Sequence, residues 1–313
     1  MGRKKGRQVN GWLVIDKPLH IGSTDVVNKM RRLFNARKAG HAGTLDPLAS
    51  GILPIAFGQA TRTIPYIMEA TKRYQFTLEF GASRTTDDKE GEVLETSDHR
   101  PDDVAIRAVL PRFIGEIMQV PPIYSALKLG GARAYELARK GEIPEMQSRP
   151  ARIDNITLTQ RLDADHAVFN VQSGKGVYMR ALARDIARAC GTVGHIASLR
   201  REKCGPFDVS NAITLDKLLQ NSEKASTLDG FLLPLATALD DIPALAVTEE
   251  EAQALRWGQT LPALHGNAET EAGLLRAEFQ GDVIGLCRVS EGRLRPVRIF
   301  DLTNHGVDDV DYS

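Results

Sequence analysis

The chain has 313 residues, 42% hydrophobic and 26% charged, which suits a soluble globular protein with one large domain and a small one. Its 40 basic residues balance its 40 acidic ones, so net charge argues for neither nucleic acid nor membrane, and no run approaches the roughly 18 apolar residues of a membrane span. Cys190, Cys204 and Cys287 are too widely spaced for a disulfide framework or a zinc site, so a cytoplasmic, metal-free protein without a cofactor is expected.

Charge is unevenly distributed along this neutral chain. Residues 1–40 hold ten Lys/Arg against two acids, whereas residues 241–313 hold six Arg, no Lys and thirteen acids. This asymmetry suggests a polyanion-binding side and an acidic remainder. The opening basic stretch lacks an apolar signal core, and residues 1–8 are expected to be a flexible arm.

Gly11 to Pro18 reads as a short strand ended by a turn, and Ser23-Thr24-Asp25 as the cap of a basic helix running to about Phe34. Ile52 to Phe57 is a short apolar run, and Ala60 to Ala70 is expected to be helical. Tyr74, Phe76, Leu78 and Phe80 alternate with Gln75, Thr77 and Glu79, the pattern of a half-buried strand. Arg84 to Gly91 reads as a polar turn, and Asp102 to Ile114 as a helix opened by Pro101 and an acidic first turn.

Residues 121–152, with Pro121-Pro122, Gly130-Gly131, six basic residues and three acids, are expected to leave the core as an excursion. Val168 to Ser173 is a second strand, Gly174-Lys175-Gly176 turns the chain, and Tyr178 to Cys190 is a helix stopped by Gly191. Leu182, Ile186 and Ala189 face inward on this helix. Arg180, Arg184 and Arg188 recur every four residues and are expected to form a cationic stripe. Beyond Pro234 the composition turns acidic, and short strands at Val283 to Val289 and Leu294 to Phe300 indicate a small β-rich domain.

One segment concentrates glycines around a single acid: Gly40-His41-Ala42-Gly43-Thr44-Leu45-Asp46-Pro47-Leu48-Ala49-Ser50-Gly51. Pro47 pushes Asp46 out of helical geometry, and the glycines let a ligand approach the backbone. An isolated Asp-Pro is an ordinary turn. The whole string, however, resembles the signature of the TruB family of pseudouridine synthases. Lys72-Arg73-Tyr74 resembles that family's second motif, and Lys175-Gly176-Val177-Tyr178-Met179-Arg180-Ala181-Leu182 its third. Leu199-Arg200-Arg201 with Gly205-Pro206-Phe207 resembles the segment that follows. The resemblance runs from about Gly11 to Phe207 and is weaker beyond. It departs after Lys17-Pro18, where Leu19-His20-Ile21-Gly22-Ser23 replaces the family's usual Gly followed by Thr or Ser.

The resemblance implies an α+β fold: a central, largely antiparallel mixed sheet with flanking helices, spanning 9–239, with an RNA-gripping insertion at about 121–152 and a small PUA-like domain over 240–313. It implies isomerisation of a uridine in the T-loop of tRNA, with Asp46 as the essential carboxylate and Arg180 as its cationic partner. Tyr74 would stack on the uracil, Tyr178 and Leu199 would line its other sides, Lys17 remains from the first motif, and His41 would contact RNA. A carboxylate in such a cleft stays charged only beside a cation. Whether Asp46 attacks C1′ or abstracts the C2′ proton is left open. The expected partner is the tRNA T-arm, with no membrane and no obligate protein partner. The alternative from another class is a non-catalytic tRNA-binding module that assists folding, whose mark would be loss of Asp46 or Arg180; a glycosidase using two carboxylates is a second. Outside these motifs, Gly174-Lys175-Gly176 lacks the rest of a phosphate-binding loop, and no Ser or Cys sits in a nucleophile-elbow pattern.

Overall fold

The computed structural model describes residues 6–142, 144–221, 225–262 and 273–302. In chain order the strands are β1 Gly11–Lys17, β2 Ala39–His41, β3 Ala49–Phe57, β4 Lys72–Phe80, β5 Ala82–Arg84, β6 Val93–Thr96, β7 Gly115–Gln119, β8 Lys128–Leu129, β9 Ala132–Arg133, β10 Arg149–Arg161, β11 His166–Ser173, β12 Gly194–Cys204, β13 Phe207–Asp208, β14 Ile213–Thr214, β15 Ala244–Ala246, β16 Leu261–Pro262, β17 Leu274–Phe279, β18 Asp282–Ser290 and β19 Arg293–Ile299. The helices are α1 Ser23–Leu33, α2 Ile64–Glu69, α3 Asp103–Val109, α4 Ala134–Arg139, α5 Met179–Ala189, α6 Leu215–Gln220, α7 Ala225–Asp229 and α8 Glu249–Arg256.

One sheet dominates, in the order β14-β1-β3-β12-β4-β11-β10-β7, with β2 added to β3 and β13 to β12. It is mixed and largely antiparallel: β1 with β14 and β3 with β12 are its parallel pairs. Strands β1 and β3 are covered on both faces, whereas β12 and β4 keep one face partly open. In β3 every residue but Ser50 is buried, as a run rather than an alternation of apolar residues requires. In β4 the alternation sends Phe76, Leu78 and Phe80 under α5, where burial contributes about 1.5–3 kcal/mol per side chain.

At the centre β3 and β12 come very close. Gly51 has φ 101°, and a Cβ there would lie 2.1 Å from the Arg201 carbonyl oxygen, so glycine is required. That closeness puts the loop before β3 beside the middle of β12.

Several elements differ from the sequence reading. The helix expected over Ala60 to Ala70 is a 3-10 turn at Gly58–Thr63 followed by α2, because Pro65 cannot donate into a continuous helix and starts a new one. Pro111 likewise ends α3 early in a 3-10 turn. The excursion is shorter than 121–152, since residues 149–152 already pair with β7 as part of β10. The polar turn expected over Arg84 to Gly91 is present from Thr85 on, but Arg84 belongs to β5, and Asp87 and Asp88 are buried.

Residues 1–5 of the expected arm lie outside the described residues. Arg7 is tied down, donating to both carboxylate oxygens of Asp229 at 2.7 and 2.5 Å and to the Phe34 carbonyl at 2.8 Å.

A second sheet, β15-β17-β18-β19-β16, holds α8 against one side through Ala252 and Leu255. Val283, Leu286 and Phe300 pack with Trp12, Val14, Ile52 and Phe207, so the second sheet leans directly on the back of β1 and β3.

Candidate active site

Asp46 lies in the loop between β2 and β3, and that loop is pinned at several points. The buried Ser23 hydroxyl donates to the Leu45 carbonyl and accepts from the Leu45 N–H, both at 2.8 Å. The His20 N–H donates to the Pro47 carbonyl at 2.7 Å and the Ala49 N–H to the Asp46 carbonyl at 3.0 Å. Ser23 was expected to cap α1. The position before it, Gly22, is the cap and makes no side-chain bond, so the serine is free for the loop.

Arg180, in the first turn of α5, reaches Asp46 with Nε 2.9 Å from Oδ2. Its side chain is 7% exposed and that of Asp46 39%, so a buried cation meets a carboxylate that a substrate can still reach. The guanidinium cannot swing away. Nη1 donates to the Thr86 carbonyl and Nη2 to the Tyr124 carbonyl, each at 2.8 Å, while Asp88 Oδ2 is 3.8 Å from Nε.

The expected cationic stripe on this helix is therefore corrected. Arg180 and Arg184 face acids rather than water, Arg184 lying 2.8 Å from buried Asp87 and 2.9 Å from Asp185, and Arg188 alone of the three is exposed. A four-residue repeat of arginines reads the same whether it faces water or carboxylates.

Three neighbouring strands supply the floor. Tyr74 on β4 stands opposite Arg201 on β12, and Leu199 stands opposite Phe76 on one side and Ala49 on the other. Leu199 and Tyr74 are half-buried and pack against the clusters on both sides of the central strands. Arg201 is 1% exposed; its Nε donates to the Ile52 carbonyl at 2.7 Å and Nη2 to the Gly43 carbonyl at 3.1 Å. Burial raises the Tyr74 phenol above the usual tyrosine range, and the adjacent guanidinium of Arg201 pulls it back.

Lys17, at the end of β1, is fully buried and donates to the Pro18 and Ile21 carbonyls, both at 2.9 Å. Burial lowers its pKa to about 8, with Asp46 opposing and Arg201 reinforcing the change. His41, ending β2, is held below the usual histidine range by burial first, then by Arg201 and by Arg133 of the excursion. Its Nδ1 is buried without a protein partner. Tyr178 precedes α5, where its N–H donates to the Gln119 side-chain carbonyl at 2.8 Å and its own carbonyl accepts from Gln119 Nε2 at 3.2 Å.

Asp46 and Arg180 are thus in contact, with Lys17 and Tyr74 close enough to feel the carboxylate. Tyr178 joins the group through the backbone that launches Arg180. Lys72 turns elsewhere, donating to the Met68 carbonyl and, at 2.6 Å, to the Ala70 carbonyl at the end of α2. Arg201 and the buried pair Asp87 and Asp88 were not singled out from sequence. For Arg201 the available signal was its i, i+2 relation to Leu199 on one strand face. Among the described residues no group of three or more His, Cys, Asp or Glu is arranged to hold a metal ion, and no helix is long and apolar enough to cross a membrane.

The family model for the N-terminal domain of TruB family pseudouridylate synthases matches residues 31–179, and that for the C-terminal domain of tRNA pseudouridylate synthase B matches residues 180–240. The chain is 62% identical to a tRNA pseudouridine synthase B of Gluconobacter oxydans, over 100% of this chain and 97% of that protein. It is 59% identical to the protein of the same name from Gluconacetobacter diazotrophicus, over 96% and 100% respectively. Among solved structures it resembles one in a Cbf5-Nop10-Gar1 complex, with a TM-score of 0.71 at 23% identity over 94% of this chain and 85% of that one. A chain of an archaeal box H/ACA sRNP Nop10-Cbf5 complex has a TM-score of 0.70 at 22% identity, over 94% and 87%. At these identities the structural likeness is one of fold.

Proposed function

Because the chain belongs to the TruB family of pseudouridylate synthases, we propose that it isomerises a uridine of tRNA to pseudouridine, acting in the cytoplasm on the T-loop with Asp46 as the essential carboxylate. The observation that carries this reading is the contact between reachable Asp46 and immobilised Arg180 at the middle of the sheet. The reaction breaks N1–C1′, turns the uracil, joins C5 to C1′ and releases the C5 proton. It consumes no redox equivalent. It needs a fixed anion at C1′ or C2′ and walls that retain the detached base. Asp46 is the anion, and Tyr74, Tyr178 and Leu199 are the walls.

The target uridine must leave its stack, which costs about a few kcal/mol. His41, at the end of β2 with a buried ring nitrogen that lacks a protein partner, is read as an RNA contact, and that unmet nitrogen supports a rearrangement of its ring when RNA binds. Exposed Arg31 and Arg32 of α1 and Arg133 of the excursion are available for phosphates, whereas Arg180 and Arg184 are committed to acids. A carboxylate kept charged by Arg180 and left open beside RNA adds nothing to binding a polyanion, which favours an enzyme over a passive binder.

The test is a T-arm stem-loop tritiated at uracil C5. The wild-type protein should release tritium and no free uracil. Asp46→Asn should release none while keeping tRNA affinity within about tenfold, or roughly 1.4 kcal/mol. Normal turnover by Asp46→Asn sinks the assignment, and free uracil would instead mark a glycosidase.

A further inference from the structure

Arg180 and Arg184, one turn apart on α5, do parallel jobs. Arg180 donates to the Thr86 and Tyr124 carbonyls, each at 2.8 Å. Arg184 donates to the Asp87 carboxylate at 2.8 Å and to the Val120 carbonyl at 2.9 Å. Both therefore bridge the same two pieces of chain: the turn at 86–88 and the segment at 120–124 from which the basic excursion departs. Arg180 in addition reaches Asp46.

Three consecutive residues of the turn are divided between the two arginines. Thr86 and Asp88 face Arg180, and Asp87 faces Arg184. Asp87 is 8% exposed and has φ 57°, in the left-handed region that is uncommon for a residue with a Cβ, although Asp enters it more readily than most. Its N–H donates to the Arg84 carbonyl and its carbonyl accepts from the Ile196 N–H, both at 3.1 Å. Burial raises the Asp87 carboxyl above the usual carboxylate range, and Arg184, then Arg180, oppose this. Without Arg184 the carboxylate loses its closest cation, and the turn is left with its backbone bonds to Arg84 and Ile196 alone around a buried charge. The Thr86 carbonyl, and with it the aim of Arg180, is then released.

We propose that Arg184 and Asp87 are a positioning pair: they lock the 86–88 turn and the root of the excursion together so that Arg180 stays aimed at Asp46, joining RNA seating on the excursion to the geometry of the ion pair. The proposal rests on the reading of Asp46 and Arg180 given under the proposed function.

The experiment measures single-turnover rate at saturating enzyme, and tRNA Kd, for Asp87→Asn, Arg184→Met, the double variant and Arg184→Lys. Each of the first two should lower the rate about tenfold while Kd stays within about threefold. The double variant should be no slower than the slower single, since both remove one link, and Arg184→Lys should recover part of the rate. Both single variants within about twofold of wild type, losses confined to Kd, or multiplicative losses in the double variant would each overturn it. If Arg184→Met does not fold, near-isosteric Asp87→Asn and charge-preserving Arg184→Lys decide by the same rate and Kd criteria. Arg180→Met, run alongside, separates two failures. If it is inactive while both single variants are normal, only the positioning pair falls; if it is active, the parent reading falls and takes this one with it.

Discussion

Lys17→Met tests whether an ammonium group is really enclosed beneath Asp46. The Lys17 side chain is fully buried, and burial lowers its pKa from 10.5 to about 8. In the unfolded chain the lysine has its ordinary affinity for a proton. Between those two values the unfolded state binds more protons than the folded one, so stability rises with pH across the window. The whole interval corresponds to about 3 kcal/mol. The part realised between about pH 7.5 and about pH 9.5 is about 2 kcal/mol. Methionine keeps the length and removes the titration. It also leaves the Pro18 and Ile21 carbonyls without their donor, at a cost of about 1–3 kcal/mol that does not vary with pH. Urea unfolding of both proteins should show the wild type's advantage widening by about 2 kcal/mol from about pH 7.5 to about pH 9.5. A difference that stays flat within about 0.5 kcal/mol would show that Lys17 is as well solvated in the folded protein as in the unfolded one.

Three further outcomes are expected. Gly51→Ala places a Cβ 2.1 Å from the Arg201 carbonyl oxygen and should cost more than about 4 kcal/mol, seen as a collapse in Tm or insoluble protein. Ser23→Ala removes both bonds to Leu45 and should cost about 1–3 kcal/mol in chemical unfolding, with a larger loss in single-turnover rate than in tRNA affinity. Arg133→Ala should reduce the slope of log affinity against log salt by about 0.7–0.9 while leaving the saturating single-turnover rate nearly intact. A large rate loss in that variant would mean the excursion shapes the cleft itself.

What was legible in the sequence was whatever repeats with a period or is punctuated by glycine and proline. The alternation from Tyr74 to Phe80 is β4, Leu182 and Ile186 of α5 face the core while Ala189 is only half-buried, and the glycine-rich string surrounds the carboxylate that meets Arg180. Polar residues enclosed by the fold were not legible. Thr86-Asp87-Asp88 has the composition of a solvated turn, and only the tertiary position of α5 makes its acids partners of arginines. Strand β12 was hidden for a related reason. Its middle, Leu199 to Lys203, is mostly charged, since Arg201 turns inward to backbone carbonyls and Arg200 is paired with Asp16 at 2.8 Å. Lys17 likewise gave no sign that it would be enclosed, because a lysine before a proline is normally at the surface.

The contact between the second sheet and the back of β1 also bears on how the molecule is made. A ribosome delivers β1 first, yet β1 pairs with β14 at residues 213–214, and its Trp12 and Val14 are sealed by Val283, Leu286 and Phe300. Contacts across such distances along the chain form slowly, after local structure is in place. One face of the strand that ends in Lys17 therefore waits for its apolar cover until residues 283–300 have been made, although β3 pairs with the strand much earlier. Loss of the C-terminal strands would strip an apolar backing from the active site, even though none of those strands supplies a residue to it.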